Sequence, residues 1–228
     1  MVKRTLICAL VALSSFWTST HAAIIVDTSL WVTAPSPAAN GGPSGLTSSG
    51  GNQAVQNSNS FGTIVSDFLF NGDFNFSGTM AATTAAFDDN DIFGLVFGWQ
   101  DASNHYRLGW EQGGYNDTGT GASGMFLVRE IAGASVVLFE QEIFWDDDVD
   151  YNFLVGRTGN NISFSLNGIN QTFTDTTFMA GRVGFYTESQ TARFGGLASA
   201  PEAPAVSAPA SFALFGVGIV LLFLKRRR

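Results

Sequence analysis

Between Phe61 and Thr187 the chain repeats one local pattern: a few residues of alternating apolar and polar character, then a cluster of Asn, Asp, Gly or Ser. Alternation at a period of two places successive side chains on opposite faces of an extended strand. No window before the C-terminal segment sustains the 3.6-residue period of an amphipathic helix. The pattern therefore predicts short strands joined by tight turns. Phe68, Phe70, Phe74 and Phe76 flank Asn71-Gly72, a dipeptide that favours a two-residue hairpin turn. Ile92–Trp99 and Tyr106–Glu111 surround a polar turn at Asp101–Asn104. Further strands are expected at Met125–Ile131, Val136–Phe144, Tyr151–Arg157, Ile162–Leu166 and Val183–Thr187, with another turn at Asn167-Gly168. Residues 24–32 read as one strand, rich in β-branched and aromatic side chains. Residues 33–60 read as a long surface loop holding at most one weak strand. Ten or so strands at regular spacing predict an all-β sandwich of jelly-roll type.

Charge is distributed as unevenly as hydrophobicity. All nineteen acidic residues lie between Asp27 and Glu202, whereas six of the eleven Lys and Arg sit at Lys3, Arg4 and Lys225–Arg228. Only five arginines and no lysine remain between residues 24 and 207. An acidic, lysine-free body cannot neutralise phosphates, which excludes nucleic acid as a partner. It suits cations, or simply a solvated acidic surface. The single cysteine, Cys8, falls in the N-terminal apolar run, so residues 24–228 hold no disulfide.

The two ends are targeting segments. Lys3 and Arg4 precede an apolar run from Leu6 to Trp17 and a small-residue cleavage site at Thr20-His21-Ala22, which predicts a signal peptide over residues 1–23. A β-sandwich is expected over 24–199, an Ala/Pro linker over 200–208 and a sorting or transmembrane segment over 209–228. Phe212–Leu224 is uninterruptedly non-polar; as a helix it reaches about 20 Å, and flanking residues with snorkelling arginines bring it close to a hydrocarbon core of about 30 Å. The terminal Lys225–Arg228 cluster orients this helix with the acidic body outside.

Val206-Ser207-Ala208-Pro209, the apolar run and Arg226-Arg227-Arg228 together resemble the PEP-CTERM sorting signal of Gram-negative bacteria. The usual Glu before the second proline is Ala208 in this chain. The resemblance implies an exosortase-type enzyme as partner, passage through the inner membrane, and a final place at the cell surface or in an exopolysaccharide matrix or biofilm.

A second resemblance covers the body. Phe70–Thr79, Phe87–Gln100, Asn104–Gln112 and Gly181–Tyr186 with Ser189-Gln190 occur in the order in which similar motifs occur in the C-terminal lectin-like domain of thrombospondins. The resemblance implies a concanavalin A-like sandwich, bound calcium, and a role in adhesion without catalysis. This chain lacks that family's calcium-wire repeats and disulfides.

Several residues carry candidate chemistry. Asp88, Asp89, Asn90 and Asp91 are hard oxygen donors in one short loop, and Ca²⁺ takes six to eight such ligands. With the resemblance, Asp88, Asp89 and Asp91, completed by Asp73 or a distant acid, form the expected calcium site; the alternative is a solvated acidic turn. Asp146, Asp147, Asp148 and Asp150 read as an acidic turn before a strand. Glu140 and Glu142, two apart, read as solvent-facing strand residues in preference to the paired acids of a retaining glycosidase, because no third acid follows in register. His105 lacks partners for a zinc site or a triad and is expected at the surface. Trp31, Trp99, Trp110, Trp145, Tyr106 and Tyr115 are mostly expected in or near the core, with one or two left to stack on sugar rings. The whole predicts an exported, non-enzymatic protein with no catalytic residue, binding glycan or exopolysaccharide with calcium support. The alternative is a secreted polysaccharide hydrolase on the same fold.

Overall fold

In the computed structural model, residues 24–35, 45–83, 91–112 and 122–200 are described. They fold into sixteen strands: β1 (Ile24–Ile25), β2 (Val32–Ala34), β3 (Leu46–Gly50), β4 (Gln53–Gln56), β5 (Gly62–Val65), β6 (Phe70–Asn71), β7 (Phe74–Ala82) and β8 (Asp91–Asp101) in the first half. The second half holds β9 (Asn104–Gln112), β10 (Gly124–Ile131), β11 (Ala134–Gln141), β12 (Tyr151–Thr158), β13 (Asn161–Leu166), β14 (Ile169–Thr174), β15 (Ala180–Glu188) and β16 (Ala192–Ala200). The back sheet runs β14-β13-β12-β7-β16-β4-β3 with β1 beside β16; the front sheet runs β11-β10-β9-β8-β15-β5-β2 with β6 beside β15. Every pairing is antiparallel. The architecture is the expected all-β sandwich.

The core lies between the sheets and is largely aromatic. Phe76, Phe153, Phe164 and Phe194 from the back meet Phe93, Phe97, Trp110 and Phe185 from the front. Phe185 and Phe194 stack at 4.2 Å, and Trp31 stacks on Phe185 at 5.4 Å. Each fully buried ring contributes about 1.5–3 kcal/mol through removal from water, so this interface fixes which face of each strand turns inward.

Four expectations need correction. Residues 24–32 are not one strand: Asp27 caps a 3-10 turn at Thr28–Leu30 by accepting from the Ser29 N–H, and this corner sends β1 to the back sheet and β2 to the front. Residues 33–60 contain the β3–β4 hairpin, whose Ser- and Gln-rich strands lack propensity but bury Leu46, Ala54 and Gln56. Asn71-Gly72 does not close a hairpin, because Phe70–Asn71 pairs with β15 while β7 crosses to the back sheet. The strand expected at Val136–Phe144 runs instead over Ala134–Gln141. By contrast, Asp101↔Asn104 closes β8–β9 at the expected turn, and Asn167-Gly168 joins β13 to β14 with both residues at positive φ. No helix among the described residues is long and apolar enough to cross a membrane, and the C-terminal segment lies outside them.

Candidate functional site

A strand buried on one face alternates; Ile92–Trp99 (IFGLVFGW) has no polar side chain at any position. The structure supplies the reason. Phe93, Leu95 and Phe97 enter the main core, while Ile92, Val96 and Trp99 belong to a second cluster with Val65, Phe126, Val128 and Tyr186 on the other side of the front sheet. This outer face is therefore enclosed as well.

The registers arrange the enclosed face in rows. One row crosses Phe126, Gly109, Gly94, Tyr186 and Thr63. Two adjacent glycines leave its centre without side chains, between an aromatic ring on either hand about 14 Å apart at their Cα atoms. A Cβ on Gly94 would overlap the Leu108 carbonyl, and one on Gly109 the Phe93 carbonyl, so close strand approach demands glycine at both positions. The next row carries Val128, Arg107, Val96, Gly184 and Val65; the row on the other side carries Glu111, Ile92 and Glu188. Beyond Arg107, Glu130 faces His105.

Arg107 organises this face. Its Nη2 donates to Glu130 Oε2 at 2.8 Å and its Nη1 to the Tyr186 hydroxyl at 3.2 Å, with the guanidinium 5.2 Å from the Tyr186 ring centre. The Tyr186 hydroxyl in turn donates to Glu188. Arg107 is only 4% exposed. Burial disfavours its charge, but Tyr186, Glu130 and Glu188 more than compensate and raise its proton affinity. Burial raises that of the Tyr186 hydroxyl, so it stays protonated and donates. A buried charge held between two carboxylates costs desolvation and earns its place through orientation rather than stability.

His105 corrects the expectation of a surface role, being 0% exposed. Its ring packs 4.7 Å from Trp99, and Nδ1 bonds the Asp101 carbonyl at 3.1 Å. Burial, then the nearby Arg107 charge, lower its pKa to about 3. At neutral pH the ring is uncharged, so the 3.7 Å approach of Nε2 to Glu130 is no ion pair. Nε2 is a buried polar atom that has no hydrogen-bond partner among the described residues. Arginine, carboxylates, a neutral histidine and two aromatic rings around a side-chain-free centre are the groups that match a sugar: planar donors and acceptors for hydroxyls, ring faces for C–H surfaces.

A separate knot closes the far end of the sandwich. Asp175 accepts from the Tyr106 hydroxyl at 2.7 Å, Arg129 Nη1 at 2.6 Å and the Thr177 N–H at 2.8 Å. Burial would raise its pKa, but the hydrogen bonds from Thr177, Tyr106 and Arg129 prevail and hold it at about 2. Burial, then Asp175, push the Tyr106 hydroxyl up to about 12.

Of the expected calcium donors, Asp73 and Asp91 are among the described residues, and they lie apart. Asp91 lies buried at the start of β8, whereas Asp73 precedes β7 and accepts the Gly159 N–H at 2.6 Å. Ala82, at the other end of β7, lies beside the Asp146–Asp150 turn near Trp145 and Phe93, so the nine residues of β7, nearly 30 Å, separate Asp73 from Asp91. Asp88, Asp89 and Asn90 lie outside the described residues, among which no group of three or more His, Cys, Asp or Glu could hold a metal ion. Asp148 and Asp150 pair with Arg193 at 3.0 and 3.1 Å on the surface. Glu140 accepts the Ser123 N–H at 2.7 Å, and Glu142 falls beyond the end of β11, so the two are not a strand pair. Trp31, Trp99, Trp110, Trp145 and Tyr106 are all buried; Tyr115 lies outside the described residues. So do the sorting residues Val206, Ser207, Ala208, Pro209, Arg226, Arg227 and Arg228. Reasoning from the sequence missed Arg107, Glu130, Tyr186 and Glu188; the unbroken apolar run of β8 was the available sign of a second enclosed face.

No family model and no curated protein matches the chain. Solved structures do. The chain is similar to a carbohydrate-binding module, CBM66, from Bacillus subtilis, at 16% identity over 75% of this chain and 96% of that one, with a TM-score of 0.57. A Bacillus subtilis protein of unknown function with a galectin-like fold matches at 11% identity over 79% and 96%, TM-score 0.53. A putative glycosyl hydrolase from Parabacteroides distasonis matches at 12% over 76% and 89%, TM-score 0.50. The shared property at these identities is the fold.

Proposed function

We propose that this protein is an exported, non-enzymatic lectin-like module that binds a glycan on the outer face of its front sheet. The observation that carries the reading is the Gly94–Gly109 centre enclosed by Phe126, Tyr186, Arg107 and the Glu130–His105 pair. A purely structural sheet face would be filled with packed aliphatic side chains. This one carries buried charge, and its two central positions are glycine, so no side chain of β8 or β9 stands at the middle of the row. The similarity to a carbohydrate-binding module and to a galectin-like fold supports the same reading. The signal-like and PEP-CTERM-like ends support delivery through an exosortase to an exopolysaccharide-rich surface or biofilm matrix. Calcium belongs to this proposal through Asp88, Asp89 and Asp91 alone; Asp73 is too distant to share their ion.

The test is affinity electrophoresis and calorimetry against a panel of neutral and acidic polysaccharides. Wild type is retarded by at least one, and Arg107→Lys, which keeps the charge but loses the two-armed contact to Glu130 and Tyr186, loses at least tenfold in affinity. Retardation by none of the panel, or undiminished binding by Arg107→Lys, refutes the site. The similarity to a glycosyl hydrolase gives the second reading, a secreted polysaccharide hydrolase. A general acid needs a raised carboxyl, whereas Asp27, Asp101 and Asp175 are each held below the ordinary carboxylate value. Reducing-sugar release from a bound polysaccharide would establish the hydrolase instead.

A further inference from the structure

Among the described residues the sandwich has four outer edges, and they are defended unequally. β2 is three residues long, and β3 is covered by the Thr28 corner, whose hydroxyl bonds Ser48 Oγ at 2.9 Å and the carbonyls of Gly51 and Gln53 at 3.1 and 2.6 Å. The opposite side carries β11 and β14, held together across the core by Phe139 against Phe164 and Phe173 at 5.4 and 6.5 Å. Edges are ordinarily guarded by lysine, proline or a bulge. Residues 158–174, which include β13 and β14, contain no ionisable side chain and no proline. Both flanking charges are occupied: Arg157 donates to the Asp175 and Phe178 carbonyls, and the Asp175 carboxylate is bound by Arg129 and Tyr106.

The direction of the free hydrogen bonds on β14 follows from its hairpin. The Asn167-Gly168 turn has φ of 48° and 77°, a two-residue loop that makes Leu166 and Ile169 a hydrogen-bonded pair. Bonded pairs then recur every second residue, and the Asp175 N–H donating to the Asn160 carbonyl at 2.9 Å keeps that parity to the strand end. Ile169, Gln171 and Phe173 are thus committed to β13. Asn170, Thr172 and Thr174 direct their N–H and C=O groups away from the sheet.

We propose that this edge is where a second copy of the chain docks, through antiparallel β14–β14 pairing about a two-fold axis at Thr172. That register sets Thr172 against its counterpart and Asn170 against Thr174 of the other copy, and pairs all six outward-facing groups on each side. Side chains opposite one another lie on the same face, so Gln171 meets Phe173 towards the core, and half-buried Ile169 and Phe173 are covered further. Self-complementary register argues for a second copy as the occupant, and charge selects this edge for it: between residues 24 and 207 five arginines face nineteen acids, so two copies repel one another elsewhere, while this stretch brings no like charges together. The edge face measures about 20 by 25 Å, or about 1,000 Å² buried in total, the lower limit for a specific interface. The dimer is weak and reversible. Because the axis runs through the sheet, both front faces point the same way, and two sites of the kind proposed above engage one polymer together. The docking itself does not depend on that function.

The experiment uses the full-length chain in mild detergent, followed by sedimentation velocity and hydrogen exchange from about 1 μM to about 1 mM. Mass doubles with concentration, and the amides of Asn170, Thr172 and Thr174 pass from fast exchange to protection while Gln171 and Phe173 stay protected throughout. Thr172→Pro removes only an outward N–H, and Thr172→Lys opposes two cations at the axis; each abolishes the mass change without shifting the unfolding midpoint. A monomer over the whole range overturns the proposal. So does a dimer that the variants leave intact, or one in which the three amides keep the same exchange rate.

Discussion

His105 gives the sharpest quantitative consequence of the enclosed front-sheet face. In the folded protein its pKa is about 3, because burial and Arg107 oppose the proton; in the unfolded chain it returns to 6.5. The folded value is depressed, so below pH 6.5 the unfolded state binds a proton that the folded state refuses. Stability then falls as pH falls, by about 1.4 kcal/mol per pH unit, and levels off near pH 3. Between pH 7 and pH 4.5 the loss reaches about 2.7 kcal/mol, a large share of a typical domain stability of about 5–15 kcal/mol. Asp175, with its pKa near 2, starts to contribute only below about pH 5, and comparison with a variant that keeps Asp175 isolates the histidine. Urea unfolding of wild type and His105→Gln at pH 7 and pH 4.5 measures the effect. The wild type should lose about 2–3 kcal/mol more than the variant over that interval. Equal losses, or an imidazole that titrates near 6.5 by NMR in the native protein, would refute the enclosed position of His105 and with it the geometry of the site.

Three other outcomes are expected. Tyr106→Phe deletes the donor to Asp175 at a buried position and costs about 1–3 kcal/mol at pH 7. The deficit shrinks towards pH 2, because Asp175 then needs less acid to protonate and the wild-type advantage, present above 3.8, is lost as pH falls towards 2; a deficit independent of pH would contradict that account. Gly109→Ala forces β8 and β9 apart where the Phe93 carbonyl blocks a Cβ, so the unfolding midpoint drops by several degrees and polysaccharide retardation is lost, whereas Gly168→Ala at an open turn changes stability alone. Chelation by EDTA lowers the unfolding midpoint if calcium sits at Asp88, Asp89 and Asp91, by the equivalent of about 2.7 kcal/mol at a hundredfold excess of ion over its dissociation constant; an unchanged midpoint removes calcium from the proposal.

Strand content was readable where apolar or alternating side chains run unbroken. Tyr151–Thr158 and Asn161–Leu166 alternate cleanly, and both were located within a residue or two. Strands that owe their existence to pairing were not readable. Ser48 and Gln53 have little strand preference, yet β3 and β4 form because Leu46 and Ala54 complete the back-sheet core. β14 and β16 were missed as well. Asn71-Gly72 carries a hairpin signal, but Phe70 and Phe74 stack at 4.9 Å across a corner between sheets, and burial of those rings outweighed the local turn preference.

The sequence by itself settled the class of fold, because a period of two with frequent turns leaves no other way to bury a phenylalanine-rich core. Its placement of charge argued against nucleic acid as a partner, because no lysine accompanies five arginines in the acidic body. What tertiary structure alone decided is which side chains meet. Arg107, Glu130 and Tyr186 are far apart along the chain and come together only because β9 lies beside β10 and one strand away from β15. Strand order is a property of long-range pairing, and local periodicity carries no record of it. The same order moved His105 from an expected turn surface into an enclosed face and set Asp73 a strand length from Asp91.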